Sequence, residues 1–483
     1  MQYEKNFPDG LLDHSVEVGA VTDRAARVWF RLPGDSSPNG SLAIDGQIVA
    51  RASTTNSDVH DWTGTLDFEL DEPVPGATFS IDVGGTIRQG RFAPSPDQPT
   101  GLTFGFGSCN RPFKPRDGEV VYHQAAGIYD ALIEDFHRAD ARFSVLVGDQ
   151  IYSDELDPIS VRGIATEDDR IPTLDEAVES YRKVSRGYLG VPGFLKLRQQ
   201  FPSLTIWDDH DIFDNWGSRK EVSDLDQRLF DAATKVYAEY QHARNPGPRK
   251  DGPPFHYWFK HGNVGFIVLD IRGKRDWNSG KLIGAEQWKD VVDFIEGPES
   301  EGIASLFVVT SVPVAHVARW MSKLLEPVPG KLGDSVRDRW TTDAFCDQRN
   351  DLLDLLFGWQ TGAPGRQVAI LSGDVHVAGA YTIRPRSGHG KIEQFTSSAF
   401  TTPLSSFERY LNVFAARGSN LFEPRWRFER HFISYSNTAG LIRLTPLESG
   451  GHHIELLVRG WNRRELRIRT VARHASMPES AEA

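Results

Sequence analysis

Residue types that bind metal ions stand at the ends of four apolar runs in this chain. The runs are SVLVGDQIY at 144–152, LTIWDDHD at 204–211, VAILSGDVH at 368–376 and LTFGFGSCN at 102–110. The residues concerned are Asp149, Asp209, Asp374, His376 and Cys109. Carboxylate, imidazole and thiolate groups are common ligands of protein-bound metals. The four runs therefore predict a metal centre assembled from distant parts of the chain.

The apolar residues of these runs indicate how the ligands are positioned. Runs of branched hydrophobic residues are typical of strands that are buried on both faces, as in parallel sheets. Ligands of an open α/β sheet gather at the carboxyl ends of its strands. We therefore expect the carboxylates and His376 to meet in one crevice. With Cys109, this pattern predicts a metal-dependent phosphoesterase.

The periodicity of the chain predicts its domains. Residues 10–92 alternate in short runs, which favours a small antiparallel β-domain, and the proline-rich segment 93–101 forms a boundary. Helical periodicity then separates buried strands, at 121–139, 174–189 and 227–243, with further strands at 263–270 and 305–312. From residue 390 the pattern alternates again, which suggests strands added to a second sheet. We predict a β-sandwich-like domain at 1–97, a catalytic domain at 98–472 and a disordered tail at 473–483.

Composition limits the possible partners and locations. The chain has 483 residues and a net charge of −12, which disfavours binding of long polyanions such as nucleic acid. Two cysteines are too few for a disulfide framework and agree with a reducing compartment. The apolar runs are shorter than the roughly 20 residues that span a bilayer. The N-terminus MQYEKNFPDG lacks a signal-peptide or twin-arginine pattern, so we expect a cytoplasmic protein unless the chain is processed.

The chain contains the motifs GDQIY, WDDHD and SGDVH, with GSCN before them and LDIR at 269–272 between them. Together they resemble the motifs of the alkaline phosphatase D (PhoD-like) family. This family belongs to the calcineurin-type metallophosphoesterases. The resemblance covers nearly the whole chain, because GAVTDRAARVWFR at 19–31 is similar to the family's small N-terminal β-domain. It implies a four-layer α-β-β-α sandwich and hydrolysis of small phosphate monoesters or diesters by a metal-bound hydroxide that attacks phosphorus in line. The alternatives are a strict phosphodiesterase and a non-catalytic binding protein that retains the fold.

The resemblance also implies a binuclear ligand set. In the related purple acid phosphatases the aspartate and tyrosine of GDxxY bind metal and the aspartate bridges two ions, and Asp149 and Tyr152 match that spacing. By the same comparison Cys109 and His376 complete the first site, which suits Fe(III). Asp209 and Asp374 belong to the second site, where carboxylates favour calcium, with magnesium or manganese as alternatives. The five anionic ligands balance one trivalent and one divalent ion.

Three further side chains are expected to act on the substrate. The resemblance implies that His210 protonates the leaving alkoxide. Arg111 follows the cysteine loop and Arg272 follows the strand at 263–270, so both are candidates for stabilising the phosphoryl oxygens. Arg272 has an alternative role in a structural salt bridge.

Two positions near these motifs leave questions that the sequence does not settle. Asp208 is expected to support or cap its neighbour Asp209 rather than to bind metal. The superfamily usually supplies another histidine from a strand that corresponds to 308–314, and this stretch contains none. His316 lies just beyond it, and its role as a ligand is undecided. The sequence predicts no oligomeric state.

Overall fold

The computed structural model describes most of the chain, namely residues 11–96, 98–116, 119–122, 124–154, 161, 170–218, 221–401, 423–462, 465 and 467–478. The α-helices among these residues are α1 Ile128–Ala139, α2 Leu174–Leu189, α3 Pro192–Gln200, α4 Asp209–Ile212, α5 Asp224–Tyr240, α6 Ala285–Glu296, α7 Arg319–Leu325, α8 Lys331–Arg337 and α9 Cys346–Thr361. None of the helices in these ranges has the length and apolar character needed to cross a membrane.

Seven strands near the N-terminus form two antiparallel sheets. They are β1 Ser15–Val21, β2 Ala25–Arg31, β3 Asn39–Ile44, β4 Gln47–Ser53, β5 Thr63–Glu69, β6 Thr78–Val83 and β7 Thr86–Arg91. The strand orders are β1-β2-β5 and β4-β3-β6-β7. Alternate residues of these strands, such as Val28, Phe30 and Ile81, share one buried cluster. The period-two pattern of the sequence therefore corresponds to side chains that alternate between this cluster and the opposite face.

Fifteen more strands are described in the rest of the chain. They are β8 Leu102–Gly107, β9 Phe113–Arg116, β10 Glu119–Tyr122, β11 Ser144–Val147, β12 Ser203–Ile206, β13 Tyr257–His261, β14 Val264–Val268, β15 Ser305–Val309, β16 Gln367–Ser372, β17 Ala378–Pro385, β18 Ile392–Thr396, β19 Trp426–Ser434, β20 Thr438–Pro446, β21 His452–Asn462 and β22 Arg467–Ser476. A six-stranded sheet has the order β12-β11-β8-β20-β21-β22, and a seven-stranded sheet has the order β13-β14-β15-β16-β18-β17-β19.

The strands expected to carry ligands each have a parallel neighbour but are divided between two sheets, and β8 also pairs antiparallel with β20. In the six-stranded sheet β11 pairs in parallel with both β8 and β12. In the seven-stranded sheet β16 pairs in parallel with β15 and β18. The sequence motifs did not assign these strands to one sheet or the other. A run of apolar residues indicates that a strand is buried, but it does not specify the distant strand with which it pairs.

The two large sheets pack against each other through aromatic side chains. The Phe104 ring on β8 lies edge-on to the rings of Phe266 on β14 and Phe307 on β15, with centroids 5.2 Å away in each case. The residues adjacent to these in the strands, Ile267 and Leu306, belong instead to a cluster that includes Phe294 of α6 and Leu353 of α9. Successive side chains thus point to opposite faces, one toward the other sheet and one toward helices.

The helices and the C-terminal strands differ from the sequence prediction in detail. Helix α2 coincides with the predicted range 174–189, and α5 begins three residues earlier than predicted. The segment predicted as helical from residue 121 begins its α-helix only at Ile128, because β10 precedes it. The C-terminal alternation contributes strands to both large sheets rather than to one.

The chain end also differs from the expected disordered tail. Residues 473–476 complete β22, which pairs with β21 over its length, and Ser476 is buried. Pairing with β21 supplies the backbone hydrogen bonds that composition alone did not predict. Residues 479–483 lie outside the described part of the chain.

Candidate metal centre

Four of the expected ligand residues have a left-handed backbone just beyond their strands. Their φ angles are 60° at Cys109, 56° at Asp149, 62° at Asp374 and 54° at His376. Residues with a Cβ atom rarely adopt this conformation, and such strain is concentrated at functional sites. The sharp turns after β8, β11 and β16 direct these side chains into a common crevice.

The glycines of the two GD dipeptides allow the strand ends to approach closely. A Cβ atom on Gly148, whose φ is 93°, would lie 2.5 Å from the Cβ atom of Asp208. A Cβ atom on Gly373 would lie 2.5 Å from the Cβ atom of Ser108. Either distance is too short for non-bonded carbon atoms, so each position requires glycine. Gly373 thereby brings the end of β16 in the seven-stranded sheet against the end of β8 in the six-stranded sheet.

The structure brings the ligands expected for the first metal together. One ligand atom from each of Cys109, Asp149 and His376 lies within 4.8 Å of the others. The Asp149 Oδ2 atom is 3.4 Å from the Cys109 Sγ atom and 3.4 Å from the Tyr152 hydroxyl oxygen. The Tyr152 hydroxyl oxygen is 3.1 Å from the His376 Nε2 atom. Cys109, Asp149 and Tyr152 are buried and His376 is half-buried, and the four side chains form one continuous donor group.

A second group contains the ligands expected for the other metal. Ligand atoms of Asp208, Asp209 and Asp374 lie within 4.8 Å of one another, and those of Asp149, Asp209 and His210 do the same. The Asp209 Oδ2 atom accepts a hydrogen bond from the backbone N–H of Asn215 at 2.7 Å. Asp208, which we expected to support or cap Asp209, thus lies within this cluster of three carboxylate side chains.

Buried charge makes this cluster unfavourable in the absence of cations. Burial raises the pKa of Asp149 well above its usual range, and the carboxylates of Asp209, Asp208 and Asp211 raise it further, although His210 opposes them. Burial also raises the pKa of Cys109 and that of Tyr152, and the charge of Asp149 adds to both effects. The donor set therefore requires compensating positive charge to be ionised.

Three buried carboxylate oxygens of the second ligand group accept no hydrogen bond from the described residues, and one of them, Asp374 Oδ2, has an ion-pair contact with Arg339. The other two are Asp208 Oδ2 and Asp209 Oδ1, and an Arg272 nitrogen lies 3.6 Å from Asp209 Oδ1. A buried carboxylate oxygen without a partner is costly, and a bound cation would satisfy it. The residues present therefore fit a metal centre at both ligand groups.

His210 is held beside the ligands by a carboxylate. Its Nδ1 atom is 3.0 Å from Asp154 Oδ1, and its ring centroid is 4.3 Å from that of Tyr152. Burial favours the neutral ring, but the charges of Asp154 and Asp209 outweigh it and raise the pKa of His210 well above its ordinary value. The ring therefore lies beside the ligand groups with its Nδ1 atom against a carboxylate. Asp154 was not predicted, although it is an acidic residue only two positions after Tyr152.

Arg272 is placed differently from the side chain that we expected to contact substrate. It is fully buried, its Nε atom donates to Asp208, and both terminal nitrogens donate to Asp338. One of those nitrogens also donates to the carbonyl oxygen of Trp216 at 3.1 Å. This geometry favours the salt-bridge alternative, in which Arg272 positions the carboxylate of Asp208.

The other two uncertain residues have distinct surroundings. The Arg111 guanidinium carbon lies 5.7 Å from the centroid of the Tyr152 ring, so this arginine is near the first ligand group. His316 is buried, but it belongs to none of the ligand groups found among the described residues.

Besides Asp154, the site contains Asp211 and Arg339, which were not identified from the sequence. Asp211 accepts hydrogen bonds from the backbone N–H groups of Asp149 and Asp208, each at 2.9 Å, and burial raises its pKa to about 7. Its place as the last residue of DDHD was an available signal. Arg339 contacts the carboxylate of Asp374. No apolar run precedes Arg339, so the sequence offered no comparable signal for it.

A protein-family model described as PhoD-like phosphatase matches residues 118–419, more than half of the chain. The chain belongs to the PhoD-like phosphatase family. It is therefore a phosphoester hydrolase, as the sequence motifs predicted. No curated protein matches the chain.

Solved structures support the fold expected for a member of this family. The structure of PhoD is similar with a TM-score of 0.67 and 17% identity, over 98% of this chain and 89% of PhoD. The purple acid phosphatase PPD1 from seeds of yellow lupin (Lupinus luteus) is similar with a TM-score of 0.57 and 11% identity, over 92% of this chain and 71% of that one. At these identities the likeness establishes a mixed α/β fold with several sheets.

Proposed function

We propose that the chain is a metal-dependent hydrolase of phosphate monoesters and diesters with a binuclear centre. The observation that carries this proposal is the position of Asp149. Its Oδ2 atom faces Cys109 and Tyr152, while its Oδ1 atom accepts from the His210 backbone N–H at 3.3 Å. The carboxylate thus lies between the two ligand groups, as a bridging ligand would.

The chemistry of the donors supports a particular pair of metals. Cys109, Asp149, Tyr152 and His376 would hold Fe(III), because thiolate, phenolate and imidazole together suit iron. Asp209 and Asp374, with Asp149, would hold a divalent ion, most simply calcium, with magnesium or manganese as alternatives. When bound, these ions supply a water nucleophile activated at neutral pH and neutralise the phosphoryl oxygens.

The side chains around the ligands divide the remaining work. His210 donates the proton to the leaving alkoxide, and Asp154 orients its ring. Arg111 and Arg339 are the cations proposed to contact phosphoryl oxygens, since Arg339 already contacts a carboxylate at the second ligand group. Arg272 holds Asp208 in place and does not contact the substrate.

We also propose a fuller architecture than the fold comparison establishes. The alternating faces of β14 and β15, together with the packing of Phe104, support a four-layer α-β-β-α sandwich. The two antiparallel sheets at residues 15–91 support an N-terminal β-domain, with the catalytic domain following near residue 98.

Metal analysis combined with a substrate panel tests this function. The purified protein should contain iron after dialysis and should hydrolyse both nitrophenyl phosphate and bis(nitrophenyl) phosphate. Asp209→Asn should lower both activities by at least 100-fold, whereas Asp231→Asn, on the exposed face of α5, should not change them. Wild-type protein that retains iron but hydrolyses neither ester would indicate a binding protein, and activity that survives removal of all metal would contradict the proposal.

A further inference from the structure

A second group of metal-ligand types lies outside the candidate metal centre. Glu393 on β18, His431 on β19 and His474 on β22 each offer one ligand atom, and these atoms lie within 4.8 Å of one another. Two residues beyond the end of β18, the Ser398 hydroxyl donates to the His376 carbonyl oxygen at 2.9 Å, at the candidate metal centre. At about 3.3 Å per residue, roughly 17 Å of extended chain separates Glu393 from Ser398.

Glu393 and His474 form an ion pair whose atoms are also close enough to share one metal ion. The His474 Nε2 atom lies 3.2 Å from Glu393 Oε2, and the His431 and His474 ring centroids are 4.2 Å apart. A tetrahedral zinc ion with bonds of about 2.0–2.1 Å holds its ligand atoms about 3.3–3.4 Å apart. The Glu393 and His474 atoms are therefore already at the separation that one zinc ion would impose.

Hydroxyl groups fix the orientation of the carboxylate. Glu393 is only 4% exposed, and its Oε1 atom accepts from the Ser476 hydroxyl at 2.9 Å. Its Oε2 atom accepts from the Thr382 hydroxyl at 2.9 Å. Such supporting hydrogen bonds are typical of metal-binding carboxylates. The Thr382 oxygen is also 2.7 Å from His431 Nε2, so His431 would exchange this contact for the metal.

The two histidines are accessible to solvent. His431 is exposed and His474 is partly exposed, so solvent can reach the group and leave a water molecule as a fourth ligand. Two imidazoles, one carboxylate and one water form a donor set that zinc accepts.

We propose that Glu393, His431 and His474 form a separate zinc site that fastens the two large sheets together. β19 is the last strand of the seven-stranded sheet, and β22 is the last strand of the six-stranded sheet. Glu393 comes from β18, two strands in from that edge. A zinc ion held by all three would cross-link the sheet edges and anchor the C-terminal strand. The site takes no part in the phosphoester chemistry proposed above.

Zinc stoichiometry tests the proposal, with Zn²⁺ alone as the probe. Wild type, His431→Gln and His474→Gln are saturated with Zn²⁺ and dialysed, and the bound zinc per chain is measured. Because the catalytic ligands are the same in all three, their contribution cancels in the comparison. We expect each variant to hold one zinc ion fewer than wild type and to keep its phosphoesterase activity. His453→Gln, on β21 and in none of the ligand groups found in the described residues, should match wild type.

Thermal unfolding provides the second measurement. Added Zn²⁺ should raise the Tm of wild type and of His453→Gln but raise it less in His431→Gln, where one stabilising ligand is lost. Equal zinc content in wild type and in folded, active His431→Gln would overturn the proposal. If His474→Gln fails to fold, the exposed position of His431 keeps the comparison decisive.

Discussion

At the scale of single residues, the candidate centre is organised around Asp149. Its two carboxylate oxygens face different groups of ligands, and its backbone N–H is held by the carboxylate of Asp211. A change at Asp211 would therefore affect both groups without removing a ligand. Substitutions of single side chains around Asp149 can measure what each contributes to metal binding and to turnover.

Tyr152 gives the most direct signature of iron. If its phenolate binds Fe(III), the concentrated protein is coloured by charge transfer, and Tyr152→Phe should lose the visible band. Tyr188→Phe is the matched control, because its ring lies 6.3 Å from that of Tyr152 but is not in the proposed ligand set. Visible absorption and iron content are measured on the same samples. A colourless wild type that contains iron would contradict the ligand or the ferric state.

The role of His210 as proton donor is tested by comparing esters that differ in their leaving group. His210→Ala should reduce turnover of an alkyl phosphate by roughly 100- to 10,000-fold, because a poor leaving group requires protonation. A nitrophenyl ester leaves as a stable anion and should be affected much less. Asp154→Asn should likewise lower turnover of the alkyl ester more than turnover of the nitrophenyl ester, since it replaces the carboxylate beside His210 Nδ1 by a neutral amide. Metal content should stay unchanged, and equal losses on both esters would exclude His210 as the acid.

At the scale of elements, the turns after the strands place the ligands. The sequence allowed these strands and their terminal ligand residues to be predicted, because a short apolar run followed by Gly-Asp is a local pattern. It did not allow the partition of β8, β11 and β16 between two sheets to be predicted, since strand pairing is decided by distant contacts. For the same reason Asp338 and Arg339 were missed, because only the folded chain brings them to Arg272 and Asp374.

Substitution of Arg272 tests whether its contacts with Asp208 and Asp338 stabilise the fold. Arg272→Ala leaves the carboxylates of Asp208 and Asp338 buried without their partner, so we expect a loss of about 3–5 kcal/mol in the free energy of unfolding. Turnover of monoesters and diesters should fall together. Arg443→Ala, at an exposed pair with Glu455, should change stability by less than about 0.5 kcal/mol. Urea unfolding and kinetics on both esters are the measurements, and a selective loss on monoesters would restore a substrate contact for Arg272.

At the scale of the whole molecule, the N-terminal sheets and the catalytic part share a buried ion pair. Glu17 of β1 is fully buried, accepts from Arg198 of α3 at 3.0 Å with each of its oxygens, and also contacts Arg244. The Trp29 indole N–H of β2 donates to the carbonyl oxygen of Glu239 at 2.8 Å. The strands before and after the predicted boundary near residue 97 belong to different sheets, and a buried polar interface joins these sheets.

Acid should weaken this interface. Burial alone would raise the pKa of Glu17, but Arg198 and Arg244 outweigh it and lower the pKa to about 2 from a usual 4.5. The pKa of Glu17 is lower in the folded protein than in the unfolded chain. Its ion pairs with Arg198 and Arg244 therefore stabilise the fold fully above about pH 4.5, and this stabilisation is lost as the pH falls toward about 2. Glu17→Gln should therefore cost about 3 kcal/mol at neutral pH and progressively less in acid. Unfolding free energies from pH 7 to 3 measure this, with Glu455→Gln as a surface control, and a pH-independent difference would contradict it.

The same ion pair sets an order of events during synthesis. Glu17 leaves the ribosome 181 residues before Arg198, which corresponds to roughly 10–40 s at ordinary rates of translation. Throughout that interval the carboxylate is hydrated, and the first two sheets have no counter-charge to dock against. Their association with the rest of the chain is therefore a late event. A nascent chain stalled before residue 198 would present β1 and its carboxylate to solvent, where chaperones and proteases can reach them.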